Sequence, residues 1–251
     1  RARKALTYAT ARDNYLEFIG QGELIPAEGP FGPETIYYNS DVVQEHDMPE
    51  KAGPLVEEYC SDVPDSCTDG KINMEFQYSG PSVLQERIYD VLADGWNPYF
   101  NITKQMIPQD DHITQVVIGQ YDFVTWRQWG ERNPDQFVVW TNCESVGFLA
   151  LNFPRLCDPE RDDVMYTARA STDLNERIEL WKDYARNINE SYSYIFLTQT
   201  NWTTAYKPKV KNICVTVDGR EVGGGIFPNG ERPRCHGSGN FASFETLWIE
   251  G

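Results

Sequence analysis

Residues 71–129 switch repeatedly between a two-residue and a roughly 3.6-residue hydrophobic period, and this rhythm restricts the fold more than any other feature. KINMEFQYS (71–79) alternates as a strand does, with Ile72, Met74 and Phe76 on one side. PSVLQERIYDVLADG (81–95) reads as a helix with Pro81 near its start and Gly95 at its end. NITKQMI (101–107) returns to strand, and DHITQVVIG (111–119) to helix through Ile113, Val116 and Val117. YDFVTWRQW (121–129) is a third strand. Parallel strands need crossover connections, so this order predicts an α/β lobe: a mixed, mostly parallel sheet flanked by helices.

The flanks extend the pattern. RARKALTYATARDNYLEFIG (1–20) reads as an amphipathic helix with Ala5, Leu6, Ala9, Tyr15, Leu16 and Ile19 on one stripe and a stop at Gly20 and Gly22. A long Pro- and Gly-rich loop follows, and loops of this kind are usually functional or embrace another element. MPEKAGPLVEEYC (48–60) predicts a short helix begun or interrupted at Pro54. Two more helices are expected at 158–170, capped by Asp158 before Pro159, and at 173–189, capped by Asp173 with Glu176 three residues on. SYSYIFLTQTNWTTAYKP (191–208) is expected to contain a long strand, and past Pro208 the texture turns to short β pieces. The boundary is placed between 1–205 and 206–251.

Charge and cysteines bound the function. The 251 residues carry 38 acidic and 22 basic side chains, a net charge of −16, which repels phosphate backbones and anionic membranes and argues against nucleic acid. Six cysteines admit many pairings. None has zinc-knuckle spacing, and sequence neighbours are expected to pair: Cys60 with Cys67, Cys143 with Cys157, Cys214 with Cys235. Such bonds imply export to an oxidising compartment. No apolar run approaches the roughly 18 residues of a membrane span. An exported chain that opens directly in a helix reads as a piece of a longer protein.

Chemistry-bearing motifs are sparse. No nucleophile elbow, zinc-protease helix, Walker loop or dinucleotide turn occurs, and His46, His112 and His236 lie in dissimilar contexts. Neither an enzyme nor a cofactor is expected. Adjacent acids such as Asp110–Asp111 read as solvated helix ends. The aromatics say more: Trp126, Trp129, Phe137 and Trp140 cluster around Arg127, Arg132 and Asp135. Open α/β sheets bind ligands at the carboxyl ends of their strands, so this stretch is either a ligand wall or core packing. Arg127 or Arg132 can meet a ligand carboxylate bidentately or answer one of the chain's own acids. Tyr37 and Tyr38, after the Pro/Gly loop, form a second candidate rim. Three N-x-S/T sequons, at Asn101, Asn189 and Asn201, are close to what chance supplies.

Several of these segments, in order, resemble a known family. Arg3, Ala5, Leu6, Ala9, Arg12 and Asp13 fit an R-x-A-L-x-x-A-x-x-R-D helix, and YDFVTWRQWGERNPDQ is similar to a strand and W-x5-D-P turn. Ala150-Leu151-Asn152-Phe153 and the paired helices after Asp158 continue the likeness, which runs to about residue 205. The family is that of extracellular solute-binding proteins of dipeptide and oligopeptide ABC importers (family 5 type). The resemblance implies a type II periplasmic-binding-protein-like lobe, the second of two, with the first lobe missing here and 206–251 returning toward it. It implies capture of a small solute or short peptide for an ABC permease, outside the cytoplasm, in a protein lipid-anchored to the membrane. Expected contacts lie near Tyr37, Tyr38, Trp126, Arg127, Trp129, Arg132, Asp135 and Asn152. This chain has Asn133-Pro134-Asp135 where the family turn ends in Asp-Pro, which leaves the role of Asp135 open. A surface scaffold or adhesion module of the same fold, and a secreted hydrolase, are the rival readings.

Overall fold

The computed structural model describes residues 1–127, 134–147, 149–199, 207, 209–211, 214–215, 234–235 and 248–249. Helices α1 (Ala2–Ala9) and α2 (Arg12–Phe18) open the chain, followed by β1 (Ile25–Pro26) and, after the long loop, α3 (Pro49–Asp62). The expected single opening helix is therefore broken at Thr10–Ala11, and the cause lies far away in sequence. The buried Trp96 donates its indole N–H to Thr10 Oγ1 at 3.0 Å. A Cβ placed on Gly95 would stand 2.1 Å from the Ala9 carbonyl oxygen, so only glycine lets the two backbones come this close. The freed Tyr8 and Thr10 carbonyls accept from the Met48 and Asp47 amides. In α3, Pro49 takes the first turn, where its missing N–H costs nothing, and the helix runs on through Pro54 instead of starting or stopping there.

The sheet follows the predicted rhythm. β2 (Cys67–Thr68) makes a hairpin with β3 (Lys71–Ser79); α4 (Val83–Trp96), β4 (Phe100–Ile107), α5 (Gln109–Ile118) and β5 (Phe123–Val124) complete the crossovers. β3 pairs in parallel with β4 from Ile72↔Phe100 to Ser79↔Ile107, and with β5 at Phe76↔Phe123 and Gln77↔Val124. The expected mixed, mostly parallel sheet flanked by helices is present. Being central, β3 is buried on both faces near its end: Phe76 and Tyr78 enter the core, and Gln77 is covered as well. The third strand is shorter than expected: β5 pairs with β3 only at Phe123 and Val124, and residues 128–129 lie outside the described residues.

A second core forms around helices α7 (Pro159–Ala170) and α8 (Leu174–Glu190), which follow the short α6 (Val138–Thr141). Both predicted caps hold: the Asp158 carboxylate accepts from the Glu160 and Arg161 amides, and that of Asp173 from Asn175 and Glu176. Phe31, Tyr37, Phe137, Trp181 and Tyr184 pack here, with Phe31 edge-on to Phe137 at 5.5 Å. The expected long strand at 191–208 is seen only as β6 (Thr198–Gln199), antiparallel to β1; most of its later half lies outside the described residues.

The chain divides into one compact unit of residues 1–128 and 132–199 and a second of 129–131 and 200–251. Within the second, β7 (Val210–Lys211) pairs antiparallel with β10 (Trp248–Ile249), and β8 (Cys214–Val215) with β9 (Arg234–Cys235).

Candidate functional site

The carboxyl end of β5 carries the most distinctive surface group. Trp126 is exposed on one side and packed on the other: its ring stacks on His112 of α5 (centroids 6.0 Å, 27° between planes) and meets Phe153 edge-on at 4.8 Å. Phe153 in turn meets Trp140 edge-on at 5.3 Å. His112 is buried, which lowers its pKa below the ordinary 6.5 and keeps the ring neutral against the indole. Arg127, the next residue, is exposed and makes no ion pair among the described residues.

A loop docked on the end of α5 holds Phe153 in this row. Gly119 closes α5 in the left-handed conformation (φ +77°), and the Arg155 guanidinium occupies the space a side chain would need there. Arg155 donates to the Val117 carbonyl at 2.8 Å, a cation at the negative end of a helix, and the Ala150 amide donates to the same oxygen. The Tyr121 hydroxyl donates to the Phe153 carbonyl, and burial pushes that phenol's pKa up. Behind the loop, Cys143 is bonded to Cys157, and the buried Arg161 donates to the Thr141 and Leu156 carbonyls.

The structure sorts the sequence-derived candidates into distinct roles. Trp126 and Arg127 are both exposed. Asn152 is buried and donates to the Asn142 and Leu156 carbonyls at 2.9 and 3.1 Å, so it braces the loop behind Phe153. Asp135 accepts an ion pair from Arg177 at 3.1 Å, which answers one of the chain's own cations. Tyr37 is buried against Phe31 in the second core. Half-buried Tyr38 borders a narrow crevice of about 10 Å³, room for about one water, with Glu28, Phe31, Asn39, Val42 and Ala185. Trp129 and Arg132 lie outside the described residues.

The Cys60–Cys67 and Cys143–Cys157 disulfides form as expected. Cys214 stands opposite Cys235 in the backbone register of β8 and β9, while their side chains lie outside the described residues. The sequence reading missed His112, Phe153, Tyr121 and Arg155 as the setting of Trp126. The one available signal was the left-handed helix stop at Gly119 followed by a tyrosine. Among the described residues, no three His, Cys, Asp or Glu side chains stand close enough to hold a metal ion, and no helix is long and apolar enough to cross a membrane.

No family model matches the chain. Among curated proteins, it is 23% identical over 198 residues to Di/tripeptide-binding protein 2 of Pseudomonas aeruginosa, covering 78% of this chain and 36% of that one. It is 22% identical over 218 residues to the Dipeptide-binding protein of Escherichia coli, covering 86% and 40%. Among solved structures, the oligopeptide-binding protein AppA of Bacillus subtilis, in complex with a nonapeptide, superposes with a TM-score of 0.67 at 20% identity, over 78% of this chain and 41% of AppA. The periplasmic binding protein DppA of Helicobacter pylori, bound to the peptide STSA, gives 0.65 at 17% identity, over 78% and 37%. The fold is that of the type II periplasmic-binding proteins. The sequence likeness to peptide-binding proteins of ABC importers is distant, and the chain spans 36 to 41% of the length of the curated relatives it matches.

Proposed function

We propose that this chain is the second lobe of an extracytoplasmic clamp that captures a peptide-like solute and passes it to an ABC permease without breaking a bond. Residues 1–205 form the lobe, and 206–251 return toward a first lobe carried by the rest of a longer protein, which is lipid-anchored at the membrane. The observation that carries this reading is the pairing of a type II binding-protein fold with an exposed indole and an exposed guanidinium, without an ion pair among the described residues, just past the carboxyl end of β5. A flat aromatic side fixed from behind gives a guest apolar area at little conformational cost, and the adjacent cation sets orientation. Trp126 and Arg127 are the contact residues, with Trp129 and Arg132 beside them in sequence, and Tyr38 belongs to a second rim. Asn152, Asp135 and Tyr37 act by holding their surroundings in place.

Capture works through closure: the guest stabilises the closed arrangement because only there does it touch both lobes. Native mass spectrometry of the full-length protein purified from its host is the test. A co-purifying small peptide or related solute, displaced on partial unfolding and weakened by Trp126→Ala, is the expected result. A protein that carries no solute and binds no member of a di- and tripeptide library would overturn the proposal.

A further inference from the structure

The side chains around Trp126 bear on what the guest looks like. Val83 and Leu84, the first two residues of α4, are 80% and 44% exposed, and Met106, near the end of β4, is 50% exposed. Large apolar groups this open at a helix start and at a strand end gain nothing for the fold from their exposed area. They share one edge of the sheet, because β3, β4 and β5 are parallel and α4 begins where β3 ends. Contacts link their neighbours in sequence as well. Met106 lies over the turn leading into α4: a Cβ built on Gly80 would meet its Cγ at 2.3 Å. Gln85 Oε1 accepts from the Thr125 hydroxyl at 3.2 Å, which ties the first turn of α4 to the residue preceding Trp126. Arg127 follows Trp126 in sequence and is exposed, in a chain of net charge −16.

Resting on the capture reading above, we infer that Val83, Leu84, Met106 and Trp126 form a selectivity face for peptides with bulky apolar side chains, and that neutral or cationic peptides are preferred over acidic ones. The apolar preference follows from area removed from water, and the charge preference from the field of the acidic chain. Arg127 receives the guest's own carboxylate, a group every peptide carries, so its presence does not favour acidic side chains.

Calorimetric titration of the full-length protein with trialanine, trileucine, Leu-Lys-Leu and Leu-Glu-Leu tests this. Trileucine is expected to bind about tenfold or more tighter than trialanine. Leu-Lys-Leu should bind tighter than Leu-Glu-Leu, with that gap narrowing as salt is raised. In the double variant Val83→Ser/Leu84→Ser, and separately in Trp126→Ala, the trileucine-to-trialanine ratio is expected to fall severalfold. Equal affinities across the set overturn the inference and leave capture standing; absence of binding by every peptide overturns both. If Val83→Ser/Leu84→Ser lowers the melting temperature by many degrees while the ratio stays unchanged, the face is packed within the longer protein, and the inference fails.

Discussion

The loop that supports Phe153 hangs on one shared acceptor, and this makes a double-mutant cycle decisive. Asn152 and Arg161 both donate to the Leu156 carbonyl, at 3.1 and 2.7 Å. Each also serves a carbonyl of its own: Asn152 bonds Asn142 O at 2.9 Å, and Arg161 bonds Thr141 O through Nε and Nη2 at 3.2 and 3.0 Å. Asn152→Ala strips the Asn142 carbonyl of its side-chain donor in a buried setting but leaves Leu156 O with Arg161. Leaving a buried acceptor unpaired costs about 1–3 kcal/mol, and losing a shared bond about 0.5–1 kcal/mol, so a loss of about 1.5–4 kcal/mol is expected. Arg161→Met removes both donors from Thr141 O and again spares Leu156 O, for a similar loss; the burial cost of the guanidinium that it relieves offsets part of it. Only the double variant deprives Leu156 O of both side-chain donors. Its destabilisation is therefore expected to exceed the sum of the singles by on the order of 1 kcal/mol, above the roughly 0.3–0.5 kcal/mol scatter of independent sites. Urea unfolding of the four proteins supplies the measurement. Strict additivity, or an Asn152→Ala loss below about 1 kcal/mol, would show that the bracing role is wrong.

Three further outcomes follow from single features. Burial lowers the His46 pKa from the ordinary 6.5 to about 3, with the nearby Arg12 acting in the same direction. The unfolded chain takes up this proton below about pH 6.5 and the fold does not, so stability is full above that pH. It falls on acidification toward pH 3 by up to about 1.4 kcal/mol per unit; in urea titrations at stepped pH, His46→Leu should flatten this slope. Gly95→Ala, which helix propensity alone predicts to be stabilising by about 1 kcal/mol, is expected to cost about 2–3 kcal/mol because its methyl would strike the Ala9 carbonyl; thermal unfolding gives the sign. Replacing Cys143 and Cys157 by alanine opens a loop with a sequence separation of 14 and is expected to cost about 3 kcal/mol by the same measurement. Cys60→Ala/Cys67→Ala, with a separation of 7, should cost less.

What the sequence disclosed and what it withheld divide by the range of the interactions involved. The caps at Asp158 and Asp173 and the alternation of β3 arise from residues a few positions apart, and each is where the sequence pattern predicts. The break between α1 and α2 could not be read, because it is imposed by Gly95 and Trp96.

The candidate site sorts by the same rule. Asp135 and Asn152 looked like ligand groups because polar side chains near tryptophans can serve either a guest or the fold, and the sequence does not say where Arg177 or the Asn142 carbonyl will be. Tertiary contacts then consume polar candidates first, since a buried hydrogen-bonding group left unpaired costs more than an apolar one left exposed. An exposed hydrophobic side chain can persist half open or more, as Val83 and Met106 do. On the capture reading, the groups left open at this edge are the apolar ones together with Arg127, which meets no acid among the described residues. For that reason Trp126 and Arg127, rather than the acids and amides around them, are where a loss of binding should be sought first.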